Sequence, residues 1–83
     1  MHYTYVLRSH KDGNLYIGMT GDLHRRCREH QQGRNVSTKH RRPLELIFFE
    51  AFKCVEDAMR RERYFKTSKG KSSLRQVLRY SLE

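Results

Sequence analysis

Apolar and polar positions along the chain follow two periods, and the switches between them mark the elements. His2–Arg8 is rich in Tyr, Thr and Val and reads as a strand. Ser9–Asn14 contains Asp12-Gly13, a hairpin-turn signal, and Leu15–Gly18 is the returning strand. A two-residue turn sets Leu7 opposite Gly18 and Ser9 opposite Tyr16. Tyr5, Leu7, Tyr16 and Gly18 then share one face. Thr20 or Asp22 can cap a helix that runs to about His30, with Gly33 as its C-cap. Arg34–Pro43 reads as a basic loop. Leu44–Lys53 is the most apolar stretch and is expected to be a central strand. Val55–Lys66 reads as a helix with Glu56 and Asp57 in its first turn, where acids favour the helix dipole. Ser72 can cap a last helix with Leu74, Val77, Leu78 and Leu82 on one stripe.

The expected fold is therefore α+β. A small three-stranded antiparallel sheet is flanked by about three helices, in the order strand, strand, helix, strand, helix, helix. A chain of 83 residues is expected to form one domain, residues 1–83, with a thin core. No apolar stretch approaches the roughly 18 residues of a membrane span. The first residues lack the pattern of a signal peptide, so a cytoplasmic protein is expected. Two cysteines, Cys27 and Cys54, cannot build a disulfide framework. Cys27-x-x-His30 is half of a zinc-site spacing, but no second close pair completes it.

Charge changes the picture. Lys and Arg number 18 against 9 Asp and Glu, a formal net charge of +9. Such a balance points to a polyanionic partner, with nucleic acid ahead of a membrane surface. The basic residues cluster at Arg25-Arg26, at Lys39–Arg42, at Arg60–Arg63 and at Lys66–Lys71. Within and beside these clusters, Arg25, Lys39, Arg41, Arg42, Lys66 and Lys69 are candidate contacts to a nucleic-acid backbone.

Polar residues also occupy positions that the patterning assigns to the interior. In the helix from Val55, Glu62 falls on the stripe of Val55, Ala58, Met59 and Phe65. A lone buried carboxylate is costly. Glu62 is therefore either a metal ligand or general base, or an edge residue paired with Lys66 or Arg63. In the first helix Leu23, Arg26, Cys27 and His30 share a face. Arg26 and His30 are either a phosphate clamp beside a proton-transfer group, or a snorkelling arginine and a satisfied half-buried histidine. The hairpin adds Tyr5 and Tyr16 on one side, with room left by Gly18.

Taken together these residues resemble the GIY-YIG nuclease superfamily. Its second motif stands as Tyr16-Ile17-Gly18, and its first as a degenerate Tyr3-Thr4-Tyr5, with Tyr5 and Tyr16 eleven positions apart. The segment from Gly21 to His30 resembles the family's arginine- and histidine-bearing helix, which selects Arg26 and His30. The segment Ala58–Lys66 resembles the helix carrying its metal-binding glutamate, which selects Glu62. The resemblance covers nearly the whole chain and is nearest to short stand-alone bacterial members. It extends more distantly to the N-terminal nuclease domain of the excision-repair protein UvrC and to phage homing endonucleases.

The resemblance implies a metal-dependent endonuclease acting on phosphodiester bonds, with DNA in repair or recombination favoured over RNA. It implies one Mg²⁺ or Mn²⁺ ion on Glu62 and Tyr16 as general base, a role His30 could share. Arg26 would neutralise phosphate charge, while Tyr5 and His30 orient water and phosphate. The first motif's glycine is Tyr3 here. Larger relatives carry attached domains that choose the substrate, so a homodimer or a targeting protein partner is a further expectation. The same basic fold could instead serve as a non-catalytic nucleic-acid-binding module or adaptor.

Overall fold

The computed structural model describes residues 1–83. Strand β1 (His2–Ser9) and strand β2 (Leu15–Thr20) form the hairpin, followed by helix α1 (Leu23–Gln31). A short 3₁₀ turn at Lys39–Arg41 precedes strand β3 (Leu44–Phe52). Helices α2 (Val55–Phe65) and α3 (Ser68–Val77) complete the expected α+β order. The sheet is antiparallel throughout, with strand order β2-β1-β3.

The centre of the sheet is β1, not Leu44–Lys53. Thr4, Tyr5, Val6 and Leu7 are consecutive buried residues, so β1 is covered on both faces. β3 is an edge strand despite its apolar composition. Its Glu45 and Glu50 are carried at the surface, paired with His10 at 2.8 Å and with Arg61 at 2.7 Å. Phe49 is 50% exposed. β3 is the more apolar strand yet only Leu44 in it is buried, so apolar content alone does not decide which strand is sandwiched.

The hairpin register differs from the two-residue expectation by two positions. Tyr5 lies opposite Gly18 and Leu7 opposite Tyr16. The reason is a longer turn organised by the Ser9 hydroxyl, which accepts from the backbone N–H groups of Lys11 and Asp12 at 3.1 and 3.2 Å. The Ser9 carbonyl accepts from Gly13 N–H at 2.9 Å, and Gly13 has a φ of 75° that only glycine adopts freely. A slip of two preserves side-chain parity, so the expected face survives.

Alternation along β1 then sorts two apolar layers. Tyr5 and Leu7 pack with Leu44 on one face, against Leu23 and Cys27 of α1. Val6 packs on the other with Ile17, Phe65, Leu74 and Leu78, under α2 and α3. A bulge in β3 lets Val6 pair with Phe48 and Leu7 with Leu46, and both Ile47 and Phe48 join the second layer. Thr4, buried between strand and helix, donates to the Ala58 carbonyl at 2.8 Å.

Helix ends follow local chemistry. The Asp22 side chain caps α1 by accepting from Arg25 N–H, Gln32 is its C-cap and Gly33 follows. The last helix begins at Ser68 rather than after Ser72. Thr67 caps it by accepting from Gly70 N–H at 3.0 Å, and its own hydroxyl donates to the Tyr64 carbonyl at 2.6 Å. Thr67 thus joins the end of α2 to the start of α3. Leu74 and Leu78 are buried as expected, whereas Val77 is 60% exposed.

Gly70 is required at that joint by close approach. A Cβ there would lie 1.7 Å from the Tyr64 carbonyl oxygen. The obstacle is backbone, so it cannot rotate away. Gly70→Ala is expected to destabilise the fold by about 2–3 kcal/mol or more. Gly21→Ala, which meets nothing within 4 Å, should cost far less. Urea denaturation of both variants checks this contrast.

Candidate active site

The site is built around the way Tyr5 crosses the edge strand. Tyr5 sits on the central strand directly opposite Gly18 of β2. Its ring covers Gly18 so closely that a Cβ at that position would lie 2.5 Å from Tyr5 Cζ and from its hydroxyl oxygen. Absence of a side chain at Gly18 thus allows the phenol to reach over β2. Tyr16, two residues earlier on the same face, places its ring 6.3 Å from that of Tyr5.

His30 arrives from α1. Its ring centroid lies 5.8 Å from that of Tyr5 and 5.1 Å from that of Tyr16. The Tyr5 hydroxyl and His30 Nε2 share a hydrogen bond of 2.9 Å, and His30 Nδ1 shares one of 2.7 Å with the Thr38 hydroxyl. Tyr5 is 2% exposed, and His30 and Thr38 are fully buried. The three polar groups form a chain from β1 through α1 to the loop before β3. Every buried side-chain nitrogen and oxygen has a partner. Both ring nitrogens of His30 are engaged in hydrogen bonds. Cys27 is part-buried beside Leu23, and burial pushes its thiol above the ordinary range.

Burial also governs the titration of the pair. It raises the Tyr5 phenol well above its ordinary value, the negative charge of ionised Tyr16 adds to the rise, and Arg26 opposes it. Burial lowers His30 below 6.5, and Arg26 lowers it further while Glu29 acts the other way. The resting pair is therefore neutral phenol and neutral imidazole.

Arg26 and Glu62 stand around this core without touching the Tyr5 hydroxyl. Each acts on it electrostatically, Arg26 favouring its ionised form and Glu62 opposing it. Arg26 lies 3.6 Å from Glu29. Glu62 comes from α2, and Lys66 Nζ donates to its Oε2 at 3.3 Å. The pairing expected for an edge-of-stripe glutamate is thus present, and the carboxylate still acts on Tyr5. Helix α1 lies over one face of the sheet and α2 over the other, and both carry charge that acts on Tyr5.

No three His, Cys, Asp or Glu side chains gather as a metal cage anywhere in the chain. Mg²⁺ or Mn²⁺, which keeps several waters and takes further oxygen from a phosphate, fits a site with one protein carboxylate. Glu62 is the residue that would hold it.

The candidate backbone contacts divide by what they already hold. Arg25 lies 3.7 Å from Glu29, Arg41 lies 3.4 Å from Asp12, and Lys66 holds Glu62. Arg42 donates to the carbonyls of Lys39 and Gln31 at 2.9 and 3.3 Å. Lys39 and Lys69 are exposed and make no ion pair. Thr38 was not among the expected site residues. A threonine in a basic loop carries no periodic signal, and only the folded loop turns its hydroxyl to His30.

A three-stranded antiparallel sheet with three helices in the order β-β-α-β-α-α has the architecture of a GIY-YIG domain. Residues 1–75 match the family described as the GIY-YIG catalytic domain, and the chain belongs to that family. The family places it in the nuclease superfamily and implies nucleic-acid binding. The chain is 47% identical over 66 residues to UPF0213 protein YazA of Bacillus subtilis, covering 78% of this chain and 66% of that protein. It is 37% identical over 82 residues to a UPF0213 protein of Streptococcus agalactiae, covering 98% and 92% respectively. The solution NMR structure of a UPF0213 protein from Bacillus halodurans superposes with a TM-score of 0.57 at 37% identity, covering 92% of this chain and 83% of that one. The short bacterial relatives agree with the expected kinship.

Two outcomes follow from the buried chain. Thr38→Val keeps the shape and leaves His30 Nδ1 without its partner, so it should cost about 1–3 kcal/mol, while Thr38→Ser should cost less. Denaturation midpoints measure both. The lowered His30 pKa favours the neutral ring in the folded state. Its contribution to stability is complete above pH 6.5 and is lost as pH falls through the folded value. Wild type should lose more stability between pH 7.5 and 5.5 than His30→Gln, as read from urea midpoints at each pH.

Proposed function

We propose that this chain is a metal-dependent endonuclease that hydrolyses phosphodiester bonds, with DNA favoured over RNA as substrate. The observation that carries the reading is the Tyr5–His30 hydrogen bond packed beside Tyr16, within the electrostatic reach of Arg26 and Glu62. Two phenols, an imidazole, a guanidinium and a carboxylate around one sheet edge suit attack by water on a phosphodiester.

The two tyrosines have different roles. Burial holds Tyr5 protonated at neutral pH, so it donates a hydrogen bond and does not act as base. Tyr16 is only part-buried and takes the proton of the attacking water. The water oxygen forms a bond to phosphorus, the bond to the 3′ oxygen breaks, and the proton taken by Tyr16 passes to that oxygen as it leaves. Arg26 neutralises charge that accumulates on the phosphoryl oxygens. His30 fixes the Tyr5 hydroxyl, and Thr38 fixes His30. Glu62 is the residue that would bind Mg²⁺ or Mn²⁺. Such an ion, when bound, supplies positive charge to the phosphate and to the departing oxygen.

The test uses labelled single-stranded, duplex, flap and four-way-junction DNA, and RNA, with Mg²⁺, Mn²⁺ or EDTA. Cleavage should require the metal, and Glu62→Ala and Tyr16→Phe should each lower it by about 10²–10⁴-fold. Tight binding with no cleavage, unchanged by either substitution, would overturn the enzyme reading in favour of a binding module.

A further inference from the structure

The charges of α1 and α2 are largely answered within the fold. Arg25 and Arg26 face Glu29, Arg60 faces Asp57, Arg61 holds Glu50 and Lys66 holds Glu62. Helix α3 differs. Ser68–Val77 contains Lys69, Lys71 and Arg75 and no acidic residue, and none of the three basic side chains enters an ion pair. All three are exposed.

Lys71 and Arg75 also border a cavity of about 190 Å³, together with Asn14, Leu15, Ile17 and Leu74. Leu15 and Ile17 flank Tyr16 on β2 and point to the opposite face of the strand. The cavity therefore lies on the face of the edge strand opposite the candidate base. Its floor is apolar and its rim holds two free cations and an amide. Residues four apart on a helix are separated by about 6 Å along the axis. That spacing can meet two phosphates of one strand, with the apolar floor under the sugar between them.

We propose that the cleft between α3 and the β1–β2 hairpin, on the face of β2 opposite Tyr16, binds the sugar-phosphate backbone of the substrate strand away from the scissile bond, through Lys71 and Arg75. The inference rests on nucleic acid being the substrate. It assigns strand positioning to a helix outside the catalytic cluster. Candidate contacts on α1 and in the Lys39–Arg42 loop are mostly engaged with acids or carbonyls, so α3 supplies cations whose counterions a phosphate chain can displace.

The test measures binding of labelled single-stranded and duplex DNA by the whole chain in EDTA, so that no metal-dependent cleavage intervenes. Lys71→Gln/Arg75→Gln is compared with Arg28→Gln/Lys53→Gln, which removes equal charge from exposed positions elsewhere. Circular dichroism confirms that both variants fold. The α3 pair should bind roughly tenfold more weakly, and its slope of log affinity against log salt should fall by about 1.5. The control pair should stay within about twofold of wild type. Equal losses in both pairs, or no loss in the α3 pair, would overturn the proposal, as would binding of acidic polypeptide in preference to DNA. Loss confined to the α3 pair in a protein that cleaves nothing would sustain this cleft and sink the nuclease reading. Robust cleavage with equal losses would do the reverse.

Discussion

The contact of the Tyr5 ring with the bare backbone of Gly18 is the constraint from which the site follows. A phenol on the central strand of a three-stranded sheet is covered on both faces. Its hydroxyl can reach a functional surface only by crossing an edge strand, and a side chain opposite would block it. Once across, the hydroxyl is buried and needs a partner, because an unpaired buried polar group costs about 1–3 kcal/mol. His30 is that partner. The same demand passes to His30 Nδ1 and is met by Thr38. Burial of one hydroxyl thus orders a helix and a loop against the sheet.

The distribution of charge divides the molecule by task. A formal net charge of +9 sets a long-range field but says little about where a phosphate chain lies. Acidic residues on α1, α2 and β3 hold neighbouring arginines in place, and Arg41 and Arg42 brace the loop that presents Thr38. A cation already facing a carboxylate gains less from a phosphate than one facing water. Local charge balance is therefore a better guide to an anion path than the count of Lys and Arg. By that measure α3 stands apart from the other helices.

The face shared by Tyr5, Leu7, Tyr16 and Gly18 was legible because strand parity survives a register slip of two. Helix α1 was legible because Asp22 is a strong cap and Arg26 and His30 recur at helical spacing. The central strand was not. Apolar content ranks β3 above β1, and only the pairing partners decide which strand is sandwiched. The start of α3 was missed because Thr67 and Ser72 are both acceptable caps, and close packing of Gly70 on the Tyr64 carbonyl selects the first. Thr38 lay beyond reach because its role is a contact across the chain from β1, made only when the loop closes on α1.

Edge position of β2 is what makes so small a sheet able to hold this constellation. In the interior of a wide sheet, helices on opposite faces are separated by strands about 4.8 Å apart on either side and cannot share a solvent-open point. At an edge the two layers meet at the rim. Here α1 carries Arg26 and His30 in one layer, α2 carries Glu62 in the other, the charges of Arg26 and Glu62 both act on Tyr5, and Tyr16 stands on the edge strand β2. The opposite edge, β3, has no glycine in its strand, and Glu50 there is locked to Arg61 by two hydrogen bonds. That rim is built for stability. The asymmetry follows from where glycine and unpaired charge fall along 83 residues. It leaves the β2 rim, with α3 beside it, as the rim that keeps unpaired cations close by.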